Sequence, residues 1–176
     1  VEIRGGDGQP LALRLYRPEG KGPFPVTLYF HGGGFVMGDL DSQDMIARAL
    51  AESAKSLVVS VDYRLAPEHR YPAAPRDASA ALEWVVKKIA AHGGDPKRLA
   101  TAGDSAGGVL AAVCAVQARD KGIPMRAQVH FYGSGGYPFE RLPSWHEFKE
   151  GTLLNVDDID YFWELYLPEV PNIAYQ

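Results

Sequence analysis

The sequence predicts an α/β domain in which helices cover both faces of a mostly parallel β-sheet. Short β-branched, apolar runs alternate with longer segments of helical periodicity, and glycine or proline separates many of them. The run Leu57–Val61 is apolar apart from Ser60, as expected of a strand buried on both faces. Strands that alternate with helices indicate a parallel sheet. A chain of 176 residues suits one domain rather than two, so residues 1–176 are taken as a single domain.

The first half of the chain is predicted to contain three strands and one helix. Leucines occupy alternate positions of Leu11–Leu15, which is the period of a half-buried strand. The apolar run Val26–Phe30 is the second strand, and Leu57–Val61 is the third. Between these two a helix is predicted, with Ser42 or Asp41 as its N-cap. The apolar positions of this helix are Met45, Ile46, Ala49 and Leu50.

The second half continues the alternation. Asp77 is predicted to open a helix that ends at Gly93-Gly94. Its apolar face contains Ala78, Ala81, Leu82, Val85, Val86 and Ile89. The elements that follow are a strand at Arg98–Ala102, a helix at Ala106–Arg119, a strand at Ala127–Tyr132 and an aromatic-rich helix at Asp157–Leu167. That last helix belongs to a helical segment, 139–170, which we interpret as cap-like.

Composition excludes several classes of function. The net charge of −4 leaves no basic surface for nucleic acid or an anionic membrane, and no apolar run is long enough to span a bilayer. Cys114 is the only cysteine, which excludes an intrachain disulfide and a cysteine-ligated zinc site. The segment Val1–Gly6 lacks the features of a signal peptide. We therefore expect a cytoplasmic protein without a metal, and an oligomer remains possible.

The segment Gly103-Asp104-Ser105-Ala106-Gly107-Gly108 matches G-x-S-x-G between a predicted strand and a predicted helix. This motif forms a turn so tight that the serine backbone is strained and bulk at either flanking position would collide with a neighbouring element. The turn exposes the Ser105 hydroxyl, and the helix N-terminus behind it favours developing negative charge. The pattern therefore predicts that Ser105 is a nucleophile.

A second glycine-rich segment, His31-Gly32-Gly33-Gly34-Phe35, follows an upstream strand. Glycines allow backbone N–H groups to point into a cavity that no side chain fills. In lipases and esterases such a loop supplies oxyanion donors, and the residue after the nucleophile, here Ala106, supplies another. The segment lacks the Lys-Ser/Thr of a phosphate-binding loop. His31 is expected to orient this loop rather than to carry protons.

Together with Asp62-Tyr63-Arg64-Leu65-Ala66-Pro67-Glu68, these two blocks make the chain resemble the hormone-sensitive-lipase-like, or bacterial family IV, carboxylesterases of the α/β-hydrolase fold. The resemblance implies hydrolysis of short- to medium-chain acyl esters through a serine acyl-enzyme, without a cofactor. It implies that Ser105 is the nucleophile, and that Gly33, Gly34 and Ala106 are the oxyanion donors. Which two of Gly32, Gly33 and Gly34 donate is left open. His31, Asp62, Tyr63 and Arg64 are implied to support the loop.

The rest of a catalytic triad is not recognisable. In this fold an Asp or Glu and then a His follow the serine, each after a later strand, yet only one strand is predicted after Ser105. Asp120 lies on the same helix, about 22 Å from the serine. His130 and His146 have no well-placed acid before them. We therefore expect the chain to be truncated at both ends relative to the family, with an incomplete C-terminal part of the fold, and nearly inactive alone.

Two other functions remain open. A non-catalytic ligand-binding relative on this fold, such as a hormone receptor, often keeps the serine and loses the histidine. An amidase or peptidase would use the same apparatus, and only substrate assays would separate it from an esterase. The intact loop and Ser105 favour the esterase, and the expected partner is a small-molecule ester.

Overall fold

The computed structural model describes residues 1–133, 143–147, 149–150 and 153–168, and within them six strands form one sheet in the order β1-β2-β4-β3-β5-β6. The strands are β1 (Glu2–Arg4), β2 (Pro10–Tyr16), β3 (Phe24–Phe30), β4 (Leu57–Val61), β5 (Gly94–Asp104) and β6 (Met125–Phe131). The helices are α1 (Asp44–Ala54), α2 (Ala73–Lys88), α3 (Ala106–Asp120), α4 (Pro143–Glu147) and α5 (Val156–Tyr166). A short 3-10 turn, Ile89–His92, follows α2.

The predicted mostly parallel sheet is confirmed. Strands β3 to β6 pair in parallel, whereas β2 pairs antiparallel with both β1 and β4. In the register of the central strands, Phe30 lies beside both Val61 and Gly103. The carboxyl ends of β3, β4 and β5 therefore meet at one edge of the sheet, which is where open α/β sheets place their ligand sites.

Helices cover both faces of the sheet, as predicted. Small and aliphatic side chains of α2 and α3, among them Leu82 and Leu110, pack on one face together with Leu28 and Leu99. Helix α1 packs on the other face against Tyr29, Val58 and Ala102. Cys114 is buried, and its thiol lies in the core formed by α2 and α3. Among the described residues no helix is both long and apolar enough to cross a membrane.

Two details of the predicted helices are wrong. Neither Ser42 nor Asp41 caps α1, because the N-cap is Gln43 and its side chain makes no capping hydrogen bond. The buried face of α1 consists of Ala47 and Ala51, while Met45 is 80% exposed. Of the predicted apolar positions, Leu50 does pack against this core as a partly buried residue, but Met45 and Ile46 are exposed, and Ala47 and Ala51 form the buried face.

The start of α2 and the extent of the last strands also differ from the prediction. Helix α2 begins at Ala73, four residues before Asp77, which is buried within the helix and forms an ion pair. Strand β5 extends over Gly94–Asp104 and β6 begins at Met125. The short elements β1 and α4 were not predicted, since three and five residues carry too little periodicity. Of the predicted cap-like segment 139–170, residues 139–142, 148, 151–152 and 169–170 lie outside the described part.

Candidate active site

Ser105 occupies the turn between β5 and α3. Its φ of 51° and ψ of −121° confirm the strained, positive-φ conformation predicted from the motif. Such a conformation costs a non-glycine residue free energy, so the surrounding structure must impose it. The Ser105 N–H donates to the Phe131 carbonyl at 2.8 Å, which ties the turn to the end of β6. The hydroxyl is thereby presented at the carboxyl edge of the sheet, in front of the α3 N-terminus.

The two glycines that flank the serine are required by close backbone contacts. A Cβ on Gly103 would overlap with the backbone of Gly107 at the start of α3. A Cβ on Gly107 would overlap with the carbonyl oxygens of Phe30 and His31. The turn and the His31–Phe35 loop are therefore packed backbone against backbone, which brings the nucleophile next to the glycine loop without intervening side chains.

The glycine loop adopts a backbone that ordinary residues disfavour. Gly33 has a φ of 122° and Gly34 a φ of 62°, and Phe35 follows with 63°. The N–H groups of Val36 and Met37 both donate to the Gly33 carbonyl, which closes the turn. Within the described residues, the N–H groups of Gly33, Gly34 and Ala106 donate to no other group. N–H groups without an acceptor on this loop and directly after the serine are the type of donor that an oxyanion hole uses.

Gly32 lies in a different environment from the other two loop glycines. A Cβ on Gly32 would overlap with one carboxylate oxygen of Asp104, the residue that precedes the serine. Gly32 is therefore needed at least for its contact with Asp104. Whether its N–H also serves an oxyanion stays a prediction.

The His31 side chain is fixed within the glycine loop by burial, ring stacking and a hydrogen bond. It is fully buried, its ring stacks on that of Tyr63 at 4.3 Å, and its Nδ1 hydrogen-bonds to the Gly32 carbonyl at 2.7 Å. The Tyr63 hydroxyl in turn donates to the His31 carbonyl at 2.7 Å. Burial lowers the pKa of the His31 imidazole, so it is neutral near pH 7 and its Nδ1–H is the donor. These contacts support an orienting role for His31 and for Tyr63.

The rest of the Asp62–Glu68 block reaches the loop through its backbone. The Ala66 N–H donates to the Phe35 carbonyl at 2.8 Å. Arg64 points away from the loop and forms a two-pronged ion pair with Asp77 of α2, with Nε–Oδ2 at 2.8 Å and Nη2–Oδ1 at 2.9 Å. Asp62 is half-buried, and burial raises the pKa of its carboxyl. The side chains of Arg64 and Asp62 thus make no described hydrogen bond to the glycine loop.

Helix α5 also contacts the loop, which sequence reasoning missed. The Phe162 ring lies 2.6 Å from where a Cβ on Gly34 would stand, and Tyr166 stacks on Phe35 with ring centroids 4.0 Å apart. Tyr71 packs edge-on against Tyr166. The run of aromatic residues in α5 was the available signal, but a helical aromatic stripe does not identify its packing partner.

No base is assembled around the serine in the described part of the chain. The Ser105 hydroxyl makes no hydrogen bond to any described residue. All five histidines of the sequence lie among those residues. His130 is exposed on β6, and its ring occupies the space that a Cβ on Gly108 or Gly133 would need. His92 packs beside Trp84. Asp120 ends α3, at the opposite end of that helix from Ser105.

Comparison with known proteins agrees with this geometry. A family model described as the alpha/beta hydrolase fold matches residues 27–174. The chain belongs to the α/β-hydrolase family. Its resemblance to the hormone-sensitive-lipase-like carboxylesterases within that family is confirmed by its relatives.

Esterase LipI of Mycobacterium tuberculosis is 47% identical over 169 residues, which cover 94% of this chain and 52% of LipI. A hyperthermophilic esterase structure from Pyrobaculum calidifontis superposes with a TM-score of 0.91 at 40% identity, covering 96% of this chain and 55% of that one. The rice gibberellin receptor GID1 is 39% identical over 84% of this chain and 42% of its own length. The chain thus spans about half the length of the curated relatives it matches.

Proposed function

We propose that this α/β-hydrolase is a carboxylic ester hydrolase that uses Ser105 as its nucleophile. One observation carries the proposal: the strained Ser105 turn lies directly against a glycine loop, and the N–H groups of Gly33, Gly34 and Ala106 have no other described acceptor. Such a set of donors stabilises the tetrahedral intermediate of acyl transfer, and removing one donor typically costs roughly 10²–10³ in rate.

The reaction follows from these positions. The Ser105 oxygen attacks the ester carbonyl carbon, and its proton passes to a base as the new bond forms. The carbonyl oxygen becomes an anion that accepts hydrogen bonds from the loop and from Ala106, and the α3 N-terminus adds a favourable dipole. As the tetrahedral species collapses, the base returns its proton to the departing alcohol oxygen. Water, deprotonated by the same base, then attacks the acyl-serine, and the acid is released as the proton returns to the serine oxygen. We propose that the base and its acid partner lie outside the 176 residues, because none of the five histidines, all within the described part of the chain, hydrogen-bonds to Ser105.

The proposed substrates are small esters with short- to medium-chain acyl groups, and no cofactor is needed for this chemistry. A ligand-binding role like that of the rice receptor is less well supported. The esterase LipI is more similar to this chain than the receptor is, at 47% against 39% identity, and over a larger share of the chain. We further propose a cytoplasmic location, in keeping with a single, buried cysteine.

The experiment compares turnover of nitrophenyl acetate and butyrate by the complete protein and by its Ser105→Ala variant. The proposal requires turnover in the parent and its loss in the variant. Ser53→Ala, at an exposed serine on α1, is the matched control and should retain full activity. Turnover that survives in Ser105→Ala would refute the assignment, and a parent that binds esters without turnover would favour the receptor-like alternative. Anilide analogues of the same acyl groups test the amidase alternative.

A further inference from the structure

The carboxylate of Asp104, the residue before Ser105, lies between the strands that carry the two halves of the site. Its Oδ1 accepts a hydrogen bond from the Tyr29 hydroxyl at 2.7 Å, and Asp104 is only 9% exposed. One carboxylate oxygen touches Gly32 of the glycine loop. The backbone of Asp104 also pairs with Phe131 at the end of β6. Asp104 therefore contacts β3, the glycine loop and the end of β6.

No cation accompanies this carboxylate. Among the described residues Asp104 forms no ion pair, and the hydrogen bond that its side chain accepts comes from the uncharged phenol of Tyr29. Burying a carboxylate without a charged partner is costly unless hydrogen bonds compensate. The Tyr29 hydroxyl is therefore an important support for Asp104, and hydrogen bonds to ionised groups are the stronger ones.

The contact lies where backbone pairing stops. Strands β3 and β5 are paired up to Phe30 and Gly103, and beyond these two residues the chains diverge into the glycine loop and the serine turn. Tyr29 belongs to the pair before the last one, opposite Ala102, and Asp104 directly follows the last paired residue of β5, Gly103. The Tyr29–Asp104 hydrogen bond is thus a side-chain link across the point from which both the oxyanion donors and the nucleophile project.

We propose that Asp104, supported by Tyr29, is a positioning residue for ester hydrolysis: it sets the spacing between the Ser105 turn and the glycine loop by packing against Gly32. This inference rests on the proposed esterase function. Asp104 does not touch the reacting atoms. It acts by keeping the serine oxygen and the loop N–H groups at the separation that the transition state requires, where a displacement of about 1 Å can cost roughly 10²-fold in rate.

The test measures kcat and KM for nitrophenyl butyrate in the complete protein and four variants. Tyr29→Phe removes the donor and keeps the ring, and Asp104→Ala removes the acceptor. We expect kcat to fall roughly 10-fold and 10- to 100-fold respectively, with KM within about twofold. Asp104→Asn keeps an acceptor oxygen of the same shape and should restore most of the activity. Tyr16→Phe is the matched control, because Tyr16 donates to Asp44 at 2.9 Å in the same sheet, away from the serine turn.

A folding defect is separated from a positioning defect by labelling with a fluorophosphonate probe. Positioning predicts one label per chain in every variant but a slower labelling rate, in proportion to kcat, whereas misfolding lowers the number of labelled chains. The double variant Tyr29→Phe/Asp104→Ala should be no slower than Asp104→Ala alone, because the two residues act through one contact.

Several results would overturn the proposal: unchanged kcat in Tyr29→Phe and Asp104→Ala, additive losses in the double variant, or Asp104→Asn as slow as Asp104→Ala. A wrong esterase assignment gives a different result, because esterase activity would then survive in the Ser105→Ala variant.

Discussion

At the scale of single residues, two different requirements explain the glycines of the site. Gly33 and Gly34 have positive φ values, so they need the backbone freedom of glycine. Gly103 and Gly107 lack positive φ, and there it is the absence of a Cβ that lets β5, α3 and the end of β3 touch. The motif predicted collisions at the second pair, and the structure identifies the atoms that would collide.

Replacing Gly107 by alanine should abolish esterase activity or folding. The added methyl group would overlap with two carbonyl oxygens at the end of β3, where neither backbone can move without displacing the glycine loop. Overpacking of this kind costs about 1–3 kcal/mol or more. Gly122→Ala is the control. Gly122 also has a positive φ, but a Cβ there would meet no other atom, so this variant carries backbone strain without overlap. Activity should therefore collapse only in Gly107→Ala. Normal kcat in Gly107→Ala would contradict the backbone contact.

Cys114 should resist alkylation in the folded protein. Burial raises the pKa of its thiol to about 12, so iodoacetamide at pH 8 should modify Cys114 only after unfolding in urea. The folded pKa lies above the unfolded value near 8.5, so between these two values the native state keeps the thiol proton that the unfolded chain loses. The free energy of unfolding is therefore unaffected by this thiol below pH 8.5 and falls as pH rises from there toward 12. Urea titrations from pH 7 to pH 10 should show this decline, and rapid alkylation of the native chain would contradict it.

At the scale of secondary-structure elements, the sequence located most of the strands and helices but few of their contacts. Leu57–Val61 was predicted to the residue because its run is continuous. The partner of Arg64 was missed, because Asp77 was assigned as a helix start rather than as a residue inside α2. The packing of α5 on the glycine loop was missed for a similar reason. Periodicity reports which face of a helix is apolar, and not which element covers it.

Breaking the ion pair between Arg64 and α2 should destabilise the fold. Asp77 is fully buried, and its carboxylate accepts from the Arg64 guanidinium, from the Arg64 N–H and from the Gly6 N–H. Asp77→Ala leaves these donors without an acceptor, so the free energy of unfolding should fall by about 3–5 kcal/mol in urea titrations. Glu52→Ala, which removes an exposed pair with Lys55, should have no measurable effect. Equal stability of the two variants would show that the pair is not a structural link.

At the scale of the whole molecule, topology brings the candidate site together. The nucleophile and the glycine loop are more than 70 residues apart in sequence, yet they follow β5 and β3, which are neighbours in the sheet. That proximity was predictable from the alternation of strands and helices together with the two motifs. The Tyr29–Asp104 hydrogen bond was not, because it depends on the register of β3 against β5, which the apolar pattern of these two strands does not encode.

The same topology leads to a prediction for the 176-residue chain on its own: its Ser105 should react slowly with a fluorophosphonate probe. Serine needs a base within about 2.6–3.2 Å and a third group that orients the base, and no described residue hydrogen-bonds to the Ser105 hydroxyl. The oxyanion donors remain, so the rate of ester hydrolysis should fall to a small value that still exceeds the uncatalysed rate in water. Labelling rates of this chain and of the complete protein, each with its Ser105→Ala variant as a blank, measure the difference. Fast, stoichiometric labelling of the short chain that is lost in Ser105→Ala would mean that a base is present, and His130 and His146 would be the first residues to replace.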